Sequence, residues 1–177
     1  MKMEIPSRRR SRTEPDNGQI VDAVPRSTDS DAILAAAITA VLAAYPDLWW
    51  GGWGDRPIPV GDSLEGCRRE MTQPHCIEQV RRALKLIEQA KRTKTVSRQI
   101  STYAWKHRAE RLYRVNTGDD WVDYYVGEGA FIAAAIMSGL TVKRTRWGTL
   151  TNLSRKSFDY SWWCSVTGAE PPEGQQA

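Results

Sequence analysis

The side chains of this 177-residue chain whose types and spacing could do chemistry are few. His107 and Glu110 are three residues apart, which on a helix allows a shared face and general acid–base work. The competing reading is a histidine packed beside Tyr103 or Trp105. Asp119, Asp120 and Asp123 could hold Mg²⁺ in a nuclease-like site, or form a solvated acidic turn capping the next helix. Cys67, His75, Cys76 and Cys164 match zinc only in number of ligands. They include no CxxC pair, and adjacent His75 and Cys76 suit a tetrahedral site poorly, so a structural role is favoured. Gly61 and Gly66 have the first spacing of a phosphate loop, but Cys67-Arg68 follows where a Lys-Ser/Thr pair is needed. Gly127 and Gly129 open a GxG that finds no third glycine. These residues point away from an enzyme and imply no metal and no cofactor.

Cations are the better lead. Lys and Arg number 25 against 21 Asp and Glu, a net charge of +4. The charge alternates: residues 31–67 and 116–138 each carry a net −4, residues 68–115 carry +9, and residues 139–160 carry +4. Such asymmetry favours an anionic partner. Arg108, Arg111 and Arg114 recur every three residues and form a helix stripe, with Arg98 and Lys106 nearby and Tyr103, Trp105 and Tyr113 interleaved. Lys143, Arg144, Arg146 and Trp147 add a second basic segment, followed by Arg155 and Lys156. Cations on a rigid element contact phosphates, and aromatic rings stack on bases. Arg98, Lys106, Arg108, Arg111, Arg114, Lys143, Arg144 and Arg146 are therefore the expected nucleic-acid-binding residues. The same residues also fit a solvated face whose arginine stems lie over an aromatic core.

Trp49, Trp50, Trp53, Trp162 and Trp163 have two readings as well. They could be exposed anchors for a protein partner. They could equally supply core area, which is favoured because Leu, Ile, Val and Phe together number only 33.

The elements that must carry these residues follow from periodicity. Residues 1–28, with Arg8, Arg9, Arg10, Arg12 and three prolines, are expected to be a disordered basic arm, and residues 165–177 a disordered tail. Residues 29–73 make a helix plus a Trp/Gly-rich loop, and residues 74–164 a helical core with a hairpin. The first helix starts with Asp29 or Ser30 as N-cap, carries Leu34, Ile38, Val41 and Tyr45 on one face, and stops at Pro46. The loop after it has a short strand at Ile58–Val60. Pro74 starts a second helix with Ile77, Val80, Leu84 and Ile87 as its stripe. A third spans Ser101 to Arg114, capped by Ser97 or Ser101, and a fourth Glu128 to Ser138, with Gly139 at its end. Leu140–Arg146 and Thr149–Ser154 form a hairpin around Trp147-Gly148. Phe158 to Cys164 is an aromatic closing segment.

Helices followed by a hairpin suggest a winged helix. Yet Ala130–Met137, just before the hairpin, is apolar nearly all round and should be buried, so it cannot read a DNA groove. The expected class is α+β, mostly α, with three to four helices, a small C-terminal β-hairpin and a disordered N-terminal arm. Three sparse cysteines, no signal-like apolar segment and no apolar run of bilayer length predict a cytoplasmic protein with no membrane partner.

The stretch Ser101-Thr102-Tyr103-Ala104-Trp105-Lys106-His107-Arg108-Ala109-Glu110, followed by Tyr125-Val126-Gly127-Glu128-Gly129-Ala130-Phe131-Ile132-Ala133-Ala134-Ala135, resembles a segment of small uncharacterised accessory proteins of bacterial plasmids and phages. The resemblance covers residues 95–155. It implies a mobile-element context, in which such proteins are often DNA-binding regulators or inhibitors of host defence complexes of the anti-CRISPR or antirestriction kind. No catalytic residue carries over. The expected function is a non-enzymatic nucleic-acid-binding regulator. The alternative is a protein-binding inhibitor of a nucleic-acid-binding defence complex, using aromatic anchors and acidic patches.

Overall fold

The computed structural model describes residues 23–54, 56–117, 124–146, 148–158 and 162. Among these residues lie five helices: α1 (Asp31–Ala44), α2 (Leu64–Glu70), α3 (Pro74–Gln89), α4 (Thr102–Thr117) and α5 (Glu128–Met137). Two antiparallel strand pairs accompany them, β1 (Leu48–Trp49) with β2 (Gly52–Trp53), and β3 (Val142–Thr145) with β4 (Gly148–Thr151). The class is α+β, mostly α. No helix among the described residues is long and apolar enough to cross a membrane.

Local signals set the ends of the long helices. Ser30 caps α1, its Oγ accepting from the Ile33 N–H at 3.5 Å. Leu34, Ile38 and Val41 are buried as their spacing predicts. Pro46 blocks continuation of α1, which leaves carbonyls at its end in need of donors. Arg68 of α2 supplies them, donating to the carbonyls of Leu42, Tyr45 and Leu48 at 2.7, 3.0 and 2.9 Å. Pro74 opens α3, and Ile77, Val80, Leu84 and Ile87 line its buried side.

Residues 23–28, placed by composition in the arm, belong to the folded body. Pro25 is buried. The Ser27 N–H and hydroxyl donate to Glu88 at 2.7 and 2.6 Å. Arg81 donates to the carbonyls of Ser27 and Asp29 and pairs with Asp31. Residues 1–22 lie outside the described residues.

The core is organised around α5, all ten of whose residues are buried. It packs against α1, α3, α4, β1, β2 and β3. Ala133, Ala134 and Ala135 let these neighbours approach closely. The GxG of residues 127–129 serves the same end. The Gly129 N–H donates to the Trp50 carbonyl at 2.9 Å, and a Cβ at Gly129 would lie 1.8 Å from the Trp49 carbonyl oxygen. The β1–β2 turn thus rests directly on the first turn of α5.

The hairpin β3–β4 forms in the expected place, pairing Val142 with Thr151 and Thr145 with Gly148. Gly148 takes a φ of +123°, a conformation that favours glycine. The chain between α3 and α4 continues this pairing, through bridges Arg92↔Leu153 and Ser101↔Leu150. Ile58–Val60 is not a strand, and Val60 is fully exposed. A 3₁₀ turn, Arg155–Phe158, follows the hairpin. Phe158 packs edge-on against Trp105 and Trp162. Residues 159–161 and 163–177 lie outside the described residues, as do Trp121 and Trp147.

Gly129→Ala should cost at least ~3 kcal/mol of unfolding free energy, because backbone rather than a movable side chain meets the new methyl. Gly54→Ala, whose Cβ would find nothing nearer than 3.4 Å, should cost less than about 1 kcal/mol. Urea unfolding of both variants checks this.

Candidate functional site

Helix α4 carries most of the predicted cations, and its two sides differ sharply. Ser101 starts the helix, with its Oγ accepting from the Ala104 N–H at 3.4 Å. Thr102, Trp105, Ala109 and Leu112 are buried inward. Tyr103, His107, Arg111 and Arg114 are exposed, and Arg108 is half-buried between the two sides.

Arg108 has the most unusual surroundings. Its guanidinium carbon lies 4.7 Å from the Trp105 ring. Its Nη1 is buried and has no hydrogen-bond acceptor. Burial above all, then repulsion from Arg155 and Arg111, pushes its pKa below the usual arginine value. Arg155 also donates to the Gln99 side chain at 3.2 Å, which ties the 3₁₀ turn to the loop bearing exposed Arg98. Arg111 and Arg155 therefore place positive charge beside one buried donor. Arg114 lies with its guanidinium 5.6 Å from the Tyr124 ring centroid.

Two predicted phosphate contacts are committed inside the protein. Lys106 is only 5 % exposed and pairs with Glu110 at 2.9 Å, lying between the rings of Tyr103 and Tyr125. Arg144 pairs with Asp47 at 2.5 Å and lies over the Trp53 ring. Neither charge is available as the sequence reading requires, because each is neutralised by a carboxylate of the same body. Lys143 and Arg146 are exposed on the hairpin. Arg146 lines a hollow of about 390 Å³ together with Trp53, Arg56, Glu128, Arg144 and Thr149. Within it Arg56 pairs with Glu128 at 2.6 Å, and Thr102 donates to the same carboxylate at 2.9 Å.

Of the residues that could do acid–base or metal chemistry, His107 and Glu110 are in contact. His107 meets Glu110 at 2.6 Å, but Glu110 also accepts from Lys106 and from the Val126 N–H at 3.0 Å. Its carboxylate holds the chain entering α5 against α4. Cys67 and Cys76 are buried on different helices, while exposed His75 bonds to Glu70. Among the described residues no group of three His, Cys, Asp or Glu side chains is placed to hold a metal. Cys164, Asp119, Asp120 and Asp123 lie outside the described residues.

The tryptophans divide similarly. Trp49 and Trp53 are buried, so they are not surface anchors. The tight β1–β2 turn faces them inward, with Trp49 Nε1 donating to the Trp53 carbonyl at 3.0 Å and Trp53 Nε1 to Thr149 at 2.8 Å. Trp50 and Trp162 are half-buried, and Trp163 lies outside the described residues. Two site residues escaped the sequence-derived set. Arg155 stood in a basic segment and could have been included. Tyr125 gave no local signal, since only folding brings it beside Lys106.

Because Arg108 bears an unsatisfied buried donor, Arg108→Met should leave stability unchanged or raise it by about 1 kcal/mol. A Tm lowered by Met would contradict this. Burial, aided by Glu70, pushes the Cys76 thiol from 9.0 up to about 12. The unfolded chain then loses this proton first, so stability should fall as pH rises above 9, by about 1 kcal/mol at pH 10. Urea unfolding at pH 7 and pH 10 should show a smaller loss in Cys76→Ala. No protein-family model, curated protein or solved structure matches the chain, so the reading of this site rests on its own residues.

Proposed function

We propose that the protein is a non-enzymatic, cytoplasmic nucleic-acid-binding regulator that uses the outer side of α4 and the adjoining 3₁₀ turn. The observation that carries this reading is the gathering of half-buried Arg108 with exposed Arg111 and Arg155, three like charges at one side of α4. Several other described arginines meet carboxylates of the same body, as at Arg56–Glu128, Arg81–Asp31 and Arg144–Asp47. Like charges gathered on one side favour an external anion, and phosphate oxygens accept from several arginines at once. Arg98 and Arg114, with Lys143 and Arg146 on the hairpin, would extend the contact along a phosphate backbone. A mobile-element setting is part of this proposal and is what the resemblance noted for residues 101–110 and 125–135 implies. Burial of Trp49 and Trp53 takes two anchors from the protein-inhibitor reading.

Fluorescence anisotropy with labelled oligonucleotides tests the proposal. The logarithm of affinity should fall linearly with the logarithm of salt concentration, by about 0.7–0.9 per phosphate contact. Arg108→Ala, Arg111→Ala and Arg155→Ala should each weaken binding for all sequences and lower the slope by about one contact. Binding that ignores salt, or none at about 50 mM salt, would refute it.

A further inference from the structure

Resting on that reading, we infer that the α4 side binds single-stranded rather than duplex nucleic acid, with bases stacking on Tyr103 and Tyr125. Among the described residues most large apolar side chains are buried, yet Tyr103 is 50 % exposed and Tyr125 43 %. The two rings come from different elements, the first turn of α4 and the segment entering α5. They flank one ammonium: Lys106 Nζ lies 5.3 Å from the Tyr103 centroid and 4.7 Å from that of Tyr125. Lys106 is buried and fixed by Glu110, so it anchors both rings from within.

Further contacts hold the platform in place. His107 meets Tyr103 edge-on at 4.7 Å. The Tyr125 carbonyl accepts from Arg82 at 3.2 Å, and the next N–H, of Val126, donates to Glu110. Stacking on such pre-positioned rings costs little ordering entropy. Exposed Arg111 and Arg114 lie on the same side of α4 as Tyr103, so phosphate and base contacts can be made together. A duplex offers these rings little, because its base faces are already stacked and only edges line its grooves. A single strand presents base faces, which exposed aromatic rings capture with little sequence preference.

The test compares a thymine homopolymer with a duplex of equal length at the same salt, by anisotropy. The wild-type protein should favour the single strand by at least about tenfold. Tyr103→Ala and Tyr125→Ala should each weaken the single-strand complex by about 5- to 100-fold, leaving its salt slope and the duplex affinity unchanged. Tyr103→Phe and Tyr125→Phe should retain binding, and unchanged Tm values separate stacking from fold damage. Duplex binding equal to or tighter than single-strand binding, or alanine variants that bind the single strand normally, would overturn the inference while salt-dependent nucleic-acid binding stood. If neither oligonucleotide binds, both readings fail.

Discussion

Everything in this protein depends on enclosing one helix. With all ten residues of α5 buried, its backbone ends and its single carboxylate must find partners inside the protein. They come from every side. Gln79 of α3 accepts from the Gly127 N–H, the β1–β2 turn accepts from Gly129, and Thr102 of α4 and Arg56 donate to Glu128. At the far end the N–H groups of Ser138, Gly139 and Leu140 return to the carbonyls of Ala134, Ile136 and Ala135. The protein therefore closes around α5 through directional bonds at its ends and small side chains along its length.

This enclosure also fixes which way α4 faces. Thr102 is bonded to Glu128, Glu110 to the Val126 N–H, and the side bearing Trp105, Ala109 and Leu112 fills the core. The opposite side is then presented to solvent without freedom to rotate inward. Electrostatics divide the arginines accordingly. Arg56, Arg68, Arg81 and Arg144 bind loops and helix ends through carboxylates or carbonyls. Arg108 has no such acceptor for one buried donor, and Arg111 and Arg155 add like charge beside it.

The helical frame was legible because its signals are local. Ser30, Pro46, Pro74 and Gly139 act on their own neighbours, and the buried stripes follow from spacing. Helix α2 was not, since seven residues near a Gly- and Pro-rich loop show little periodicity, and Arg68 finds its role only beside α1. At the site, the spacing of Arg108, Arg111 and Arg114 predicted a shared helix surface. It could not predict which cations meet carboxylates. Asp47 reaches Arg144 and Tyr125 reaches Lys106 only across the fold. The Lys106–Glu110 pair was the exception, since its i,i+4 spacing alone allows the contact. The alternating acidic and basic segments thus partly cancel in three dimensions, and net charge by segment overstated what the surface offers.

The contact of Gly129 with the Trp49 carbonyl has a consequence for tracing related chains. A side chain at residue 129 would collide with backbone, and one at Gly51 with the Trp49 ring. Surface arginines can be exchanged without moving α5, but these two small residues cannot. A Trp-Trp-Gly-Gly-Trp turn paired with a distant Gly-Glu-Gly before an alanine-rich helix is thus a fingerprint of architecture. It would mark chains built this way even where their binding surfaces had diverged to other uses.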